Sequence, residues 1–200
     1  MSPAPAPTEG QVLLVRHAET QWSRDLRHTG RSDIPLTEAG RDAARALAAR
    51  LDPAGFPLIL VSPLLRARET CDLCGFGERA ELREELVEWD YGDYEGLTTE
   101  EIKRRRPDWY LWRDGCPGGE DVAQVGARAD RVIAEIKGIP GPVAIFSHGH
   151  MLRVLGARWA ELDAADGSRL GLSTGATCLL GYERHTAILV RWNDTCGARS

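Results

Sequence analysis

Three short apolar runs, each cut off by charged or polar residues, constrain the fold of this chain more than any other feature. Gln11 to Val15 (Q-V-L-L-V) stops at Arg16-His17. Pro57 to Val61 stops at Ser62-Pro63, with Arg66 close behind, and Val143 to Phe146 stops at Ser147-His148-Gly149. Runs this short and this apolar read as buried strands. Helical signals lie between them. Thr37 caps an Ala-rich stretch that runs to Leu51. Ser62-Pro63 opens a helix that carries Arg66 to about Cys74. Thr98 and Glu101 have capping-box spacing ahead of a short helix to about Arg106. Val122, Val125, Ala129, Val132, Ile133 and Ile136 share one helical face, and a further helix follows His148 to about Ala160. Glu85 to Asp90 reads as extended, Trp22 to Pro35 and Asp108 to Glu120 as loops. Ala176 to Tyr182 and Ala187 to Trp192 read as a closing pair of strands. The alternation predicts an α/β fold, a three-layer sandwich around a mostly parallel central sheet. With 200 residues, no internal repeat and no linker, one domain over residues 11–193 is expected.

The rest of the composition narrows the function classes. The net charge of −5 disfavours nucleic acid as a partner, since that needs a basic face. No apolar stretch approaches the roughly 18 residues of a membrane span. The start, M-S-P-A-P-A-P-T-E-G, lacks the basic and apolar regions of a signal peptide. It reads instead as a disordered tail over residues 1–10. The five cysteines are scattered, so reduced thiols and a cytoplasmic location are expected. Cys71 and Cys74 form C-x-x-C without a second pair at zinc-finger spacing, and read as small core residues.

In open α/β sheets, ligands bind beyond the carboxyl ends of the strands. If the three runs are neighbours, their ends converge Arg16, His17, Arg66 and His148. Such a cluster is costly unless an anion neutralises it. A phosphoryl group is the natural occupant, because arginine offers paired donors to its oxygens and helix N-termini add backbone N–H groups. A lone histidine at a strand end is usually a core residue; Arg16 beside it and the other groups shift that reading.

Four segments in order carry a family resemblance: L-V-R-H-A-E-T, S-P-L-L-R-A-R-E-T, E-L-V-E-W-D-Y-G-D-Y-E-G-L and F-S-H-G-H. They resemble the histidine phosphatase superfamily, the phosphoglycerate-mutase-like group, over about Val12 to Trp192. R-H-T-G-R-S-D-I-P-L-T and W-R-D-G-C-P-G-G-E look most like its phosphatase branch, which includes small bacterial acid phosphatases and fungal sedoheptulose-bisphosphatase. The resemblance implies a phosphoglycerate-mutase-like fold and a phosphomonoesterase for small phosphorylated metabolites, sugar phosphates among them. It implies His17 as nucleophile, Arg16 and Arg66 on the phosphoryl oxygens, His148 as second histidine, and Glu88 as proton donor. Ser23, Thr29, Gly30, Arg113 and Gly149 are the expected substrate contacts. No metal and no cofactor is expected. Oligomeric state is open, a homodimer being one option.

Two positions depart from the family pattern. Ala18 stands where glycine is usual, which requires φ below zero and space for a methyl group. Ser23 stands where asparagine is common and has less reach. Several assignments have rivals. Glu84, Glu85 and Glu95 lie near Glu88, and His150 lies two residues past His148, where a helix start would turn only one ring into the pocket. Arg113 is either a rim cation for a second phosphate or a surface charge. His28 lines the pocket mouth or only shapes a turn. Phosphoryl-transferring mutases, protein phosphohistidine phosphatases and a catalytically lost binding module are the rival functions. The short spacing from Gly96 to Gly119 and the early end of the chain favour hydrolysis over the mutase.

Overall fold

The computed structural model describes residues 10–195. The tail expected over residues 1–10 lies, except for Gly10, outside the described residues, as does Cys196. The described chain is organised on six strands: β1 (Val12–Arg16), β2 (Leu58–Val61), β3 (Glu81–Leu82), β4 (Val143–Ser147), β5 (Thr177–Glu183) and β6 (Thr186–Asp194). Their order in the sheet is β3-β2-β4-β1-β5-β6. The first four pair in parallel, and β5 runs antiparallel to both β1 and β6. The mostly parallel α/β sandwich expected from the alternation of elements is present.

Strands buried on both faces explain the continuous apolar runs. Leu13, Val15, Ile59, Val61, Ala144 and Phe146 point to one side. There they meet α2 (Glu38–Ala48) and α3 (Leu65–Leu73). Val12, Leu14, Leu60, Val143 and Ile145 point to the other, against α6 (Val122–Ile136) and α7 (Gly149–Trp159). The period of two within each strand thus builds three layers.

Register then sets the site. Val15 lies opposite Phe146, Arg16 opposite Ser147, and Val61 opposite Phe146. The polar residues that follow β1, β2 and β4 therefore leave the sheet at one level of one edge, its carboxyl edge.

Local boundaries differ from the sequence reading for physical reasons. α2 is capped by the Thr37 side chain on the Gly40 N–H, as expected, but stops at Ala48. Asp52 and Pro53 enter a separate 3-10 turn beyond it, and a residue before proline disfavours helix. α3 begins at Leu65 rather than Ser62, because the Ser62 N–H still bonds to the Phe146 carbonyl at 3.0 Å in strand fashion. Short helices occupy parts of both expected loops: α1 (Gln21–Arg24), which begins just before Trp22, and α5 (Leu111–Asp114). Glu84–Leu86 is a 3-10 turn, so only the second half of the expected extended segment is extended. α4 (Thr99–Arg105) starts at the expected Thr98–Glu101 capping box.

Cys71 and Cys74 are buried in the core between the sheet and α2 and α3, and burial pushes the Cys71 thiol up. Among the described residues no cluster of three His, Cys, Asp or Glu is placed to hold a metal ion. No helix among them is long and apolar enough to cross a membrane.

Candidate active site

His17 directly follows β1. Its backbone N–H donates to the Ser147 carbonyl at 2.9 Å, and its carbonyl accepts from Gly175 N–H at 3.0 Å. The ring Nδ1 lies 2.8 Å from the Ala18 carbonyl. A carbonyl only accepts, so Nδ1 carries the proton and Nε2 keeps its lone pair. Burial first, then Arg66 and Arg16, hold the His17 pKa well below the usual histidine value. The ring is therefore neutral and nucleophilic at Nε2 around neutral pH.

Ala18 meets both conditions that its methyl group imposes. Its φ is not among the positive values, and the residue packs against Leu36 and Ala44. Its N–H donates to the Thr70 hydroxyl at 3.0 Å, and that hydroxyl donates to the Arg66 carbonyl at 2.7 Å. Thr70, which the sequence did not flag, so ties the turn that carries His17 to the helix that carries Arg66.

His148 is the N-cap of α7 and is fully buried, its ring centroid 5.3 Å from that of His17. Its Nε2 lies 2.7 Å from the Ser62 hydroxyl. Ser62 is fully buried and has no other acceptor, so its O–H donates to Nε2. His148 then carries its proton on Nδ1. Burial, Arg66 and His17 push this pKa far down as well, so the ring is a neutral donor.

Arg66 is fully buried. Its Nη atoms hold the carbonyls of Ser32, Thr29 and Gly30, each at 2.9 Å. Arg16 donates through Nη1 to the Leu172 carbonyl. Gly149 lets the Arg16 guanidinium lie against the start of α7: a Cβ there would stand 3.2 Å from Arg16 Cζ.

Among the described residues, four buried side-chain nitrogens lack a partner, and three belong to this cluster: Arg16 Nε, Arg66 Nε and His148 Nδ1. All three are N–H donors grouped around His17. An unsatisfied buried donor is expensive, more so on a cation. Three at one place fit an occupant that carries several acceptor oxygens and negative charge.

Glu88 lines the cavity with its carboxylate set against the first N–H groups of α7. Its Oε1 accepts from Trp89 N–H and Met151 N–H, each at 2.9 Å, and its Oε2 from His150 N–H at 3.1 Å. Oε2 has one partner where Oε1 has two, so Oε2 retains room to exchange a proton. Glu95, by contrast, accepts from the N–H groups of Gly30 and Ser32, and Glu85 pairs at 3.6 Å with Arg131 on the exterior. The structure thus brings Glu88, and not these rivals, to the reactive cluster.

A cavity of about 830 Å³ opens on this cluster. Arg16, His17, Ser23, Thr29, Glu88 and Gly149 line it. Ser23 contributes little free donor capacity, because its hydroxyl donates to the Thr20 carbonyl and accepts from the Thr20 N–H at 2.9 Å each. Gly30 is not on the wall; it serves Glu95 through its N–H and Arg66 through its carbonyl.

Arg113 is not brought to the cavity. It is exposed and spends its guanidinium on the Asp114 carboxylate and the Asp108 carbonyl. A residue whose sequence neighbour is a carboxylate finds a partner before it can reach across a pocket. The distal cations on the cavity wall are instead Arg27, Lys103 and Arg153. Arg153 is one helical turn past Gly149, a spacing that could have revealed it.

Of the two histidines weighed for the pocket, one lines the cavity, and it is His150 rather than His148. His148 sits beside His17, and His150 lines the cavity. The backbone is extended at His148 (φ −126°, ψ 172°), so the helical turn of α7 starts only after it.

Comparisons with known proteins agree with this geometry. The family model of the histidine phosphatase superfamily (branch 1) matches residues 12–195. The chain is 40% identical over 186 residues to an acid phosphatase of Mycobacterium tuberculosis, covering 90% of this chain and 91% of that one. It is 37% identical over 185 residues to sedoheptulose 1,7-bisphosphatase of Saccharomyces cerevisiae (76% and 68%). It is 32% identical over 186 residues to a 2,3-bisphosphoglycerate-dependent phosphoglycerate mutase of Mesorhizobium japonicum (82% and 88%). A solved structure of a Mycobacterium tuberculosis open reading frame superimposes with a TM-score of 0.85 at 39% identity, covering 92% of this chain and 98% of that one. With the four motifs, the sheet order and the paired histidines in place, the chain belongs to the histidine phosphatase superfamily, branch 1.

Proposed function

We propose that this protein is a metal-independent phosphomonoesterase that hydrolyses small phosphorylated metabolites, sugar phosphates among them, through a phosphohistidine. The observation that carries this reading is the bare Nε2 of His17 set among three unpartnered buried donors. The acid phosphatase and bisphosphatase relatives support it.

In the first half-reaction the lone pair of His17 Nε2 forms a bond to phosphorus as the bond to the ester oxygen breaks. Glu88, protonated at Oε2, delivers that proton to the departing oxygen. Arg16, Arg66 and His148 donate to the equatorial oxygens, where charge gathers. In the second half-reaction water attacks the phosphohistidine, Glu88 accepts its proton, and His17 leaves with its lone pair restored. One difficult displacement becomes two easier ones. The fixed cations supply the charge stabilisation that a divalent ion supplies elsewhere.

The test is rapid quenching of the wild type with a phosphorylated metabolite in the presence of EDTA. Acid-labile, base-stable phosphate on His17 is expected, together with released inorganic phosphate, and no turnover in His17→Ala. Undiminished turnover in that variant removes the nucleophile. Loss of activity in EDTA that a divalent ion restores removes the metal-independent mechanism. Transfer of the phosphoryl group to monophosphoglycerate without phosphate release would mark a mutase instead.

A further inference from the structure

Two cavity histidines take no part in that chemistry. His28 places Nδ1 2.8 Å from the Leu97 carbonyl. That carbonyl must accept, so His28 Nε2 is a bare acceptor. His150 places Nδ1 2.6 Å from the Tyr91 hydroxyl. Tyr91 also lines the cavity but is only 2% exposed, burial keeps its hydroxyl protonated, and His150 Nδ1 is the acceptor it faces at hydrogen-bond distance, so its O–H donates to His150 Nδ1. His150 Nε2 is therefore an N–H donor.

Neither Nε2 has a protein partner, neither is among the sealed unpartnered nitrogens, and both residues line the cavity. The two rings are stacked, 3° from parallel with centroids 6.5 Å apart. Tyr91 and Trp109 pack edge-on against His28, and Trp89 and Trp112 against His150. Burial lowers both histidine pKa values, so both rings are neutral. The cavity thus holds one fixed neutral donor beside one fixed neutral acceptor, locked by partners on their far sides.

We propose that His150 and His28 are a hydroxyl-reading pair that selects substrates whose leaving group is a polyhydroxylated carbon chain. A hydroxyl is both donor and acceptor, so adjacent hydroxyls of a polyol satisfy His150 Nε2–H and His28 Nε2 together. A carboxylate has no proton to give His28, and an aryl or alkyl chain satisfies neither. The pair is close to the leaving oxygen, because the His150 backbone N–H is itself bonded to Glu88 Oε2. Arg27, Lys103 and Arg153 line the same cavity. The inference rests on the phosphomonoesterase reading.

The test compares kcat/KM for glycerol 3-phosphate and erythritol 4-phosphate with that for propyl and butyl phosphate. Alkyl phosphates have a similarly poor alkoxide leaving group, so the change in this ratio between wild type and variants reports hydroxyl recognition by the pair. The wild type should favour the polyols by roughly 5- to 10-fold for each hydrogen bond made. His150→Phe and His28→Phe should each bring the ratio down, and together close to one, whatever they do to the absolute rates. A wild-type ratio near one overturns the proposal while leaving phosphatase activity in place, and so does a ratio that both variants preserve. Absence of turnover on all four esters and on 4-nitrophenyl phosphate overturns the phosphomonoesterase reading and the pair with it. The wild-type comparison decides even where a variant does not fold.

Discussion

Glu88 shows how far single residues could be read. Its motif marked it among four glutamates, but spacing did not separate it from Glu84, Glu85 or Glu95. The fold separates them: three backbone N–H groups hold Glu88, loop N–H groups hold Glu95, an exterior arginine pairs with Glu85, and Glu84 is exposed. The proton-donor role then has a sharp consequence. A sugar alkoxide leaves poorly without a proton, whereas a nitrophenolate needs little help. Glu88→Gln should slow phosphorylation of the enzyme by sugar phosphates by roughly 10²–10⁴-fold and by 4-nitrophenyl phosphate far less. Single-turnover kinetics with both esters measure this, and an equal loss on both reduces the carboxylate to a positioning group. Arg113 marks the opposite case. The sequence left it either a rim cation for a second phosphate or a surface charge, and the adjacent Asp114 captures it.

The segment from Glu85 to Asp90, a 3-10 turn that opens into extended chain, holds Glu88 although it belongs to no strand. Arg128 and Glu120 clamp it. Arg128, on the core-facing side of α6, donates to the carbonyls of Glu85, Val87 and Glu88 at 2.7, 2.8 and 3.3 Å. It also meets Glu120 through two bonds of 2.8 Å, and Glu120 in turn accepts from the Asp90 N–H at 2.9 Å. A buried ion pair of this kind is expensive to break on one side, by about 3–5 kcal/mol. Arg128→Met should therefore lower the melting temperature by roughly 10 °C, at the 2–4 °C per kcal/mol usual for domains of this size. It should also reduce kcat on sugar phosphates through Glu88. Calorimetry and steady-state kinetics check both, and an unchanged melting temperature would show that the clamp bears no weight. The apolar face of α6 was legible, and Arg128 sits on that face, three residues after Val125 and four before Val132. A charge there is the sequence signal that a buried partner exists, but nothing in the spacing says which backbone it holds.

Across the whole molecule, four histidines share one consequence of burial. His17, His148 and His150 have pKa values well below the usual histidine value, and His28 has a lowered one. Unfolded, each takes up a proton as pH falls through about 6.5. Folded, each stays neutral to lower pH, so the unfolded state binds more protons and stability falls with pH. The loss begins near pH 6.5 and continues until the folded pKa values are reached, at about 1.4 kcal/mol per pH unit for each histidine. The urea midpoint should thus drop steeply between pH 7 and pH 5; a flat midpoint would mean that these rings are charged in the folded state. The same four residues divide what could be read early from what could not. Element types, the parallel sheet and the gathering of Arg16, His17, Arg66 and His148 beyond three strand ends were legible because they follow from local pattern: apolar runs of strand length, caps, and polar groups at strand ends. The tautomers of His17, His28, His148 and His150 were not, nor were the roles of Thr70, Arg128 and Arg153. Each depends on which carbonyl, hydroxyl or carboxylate from a distant segment lies across from a particular nitrogen. Such pairings arise only when β1, β2 and β4 align in register and the segments between them are packed back over one edge of the sheet.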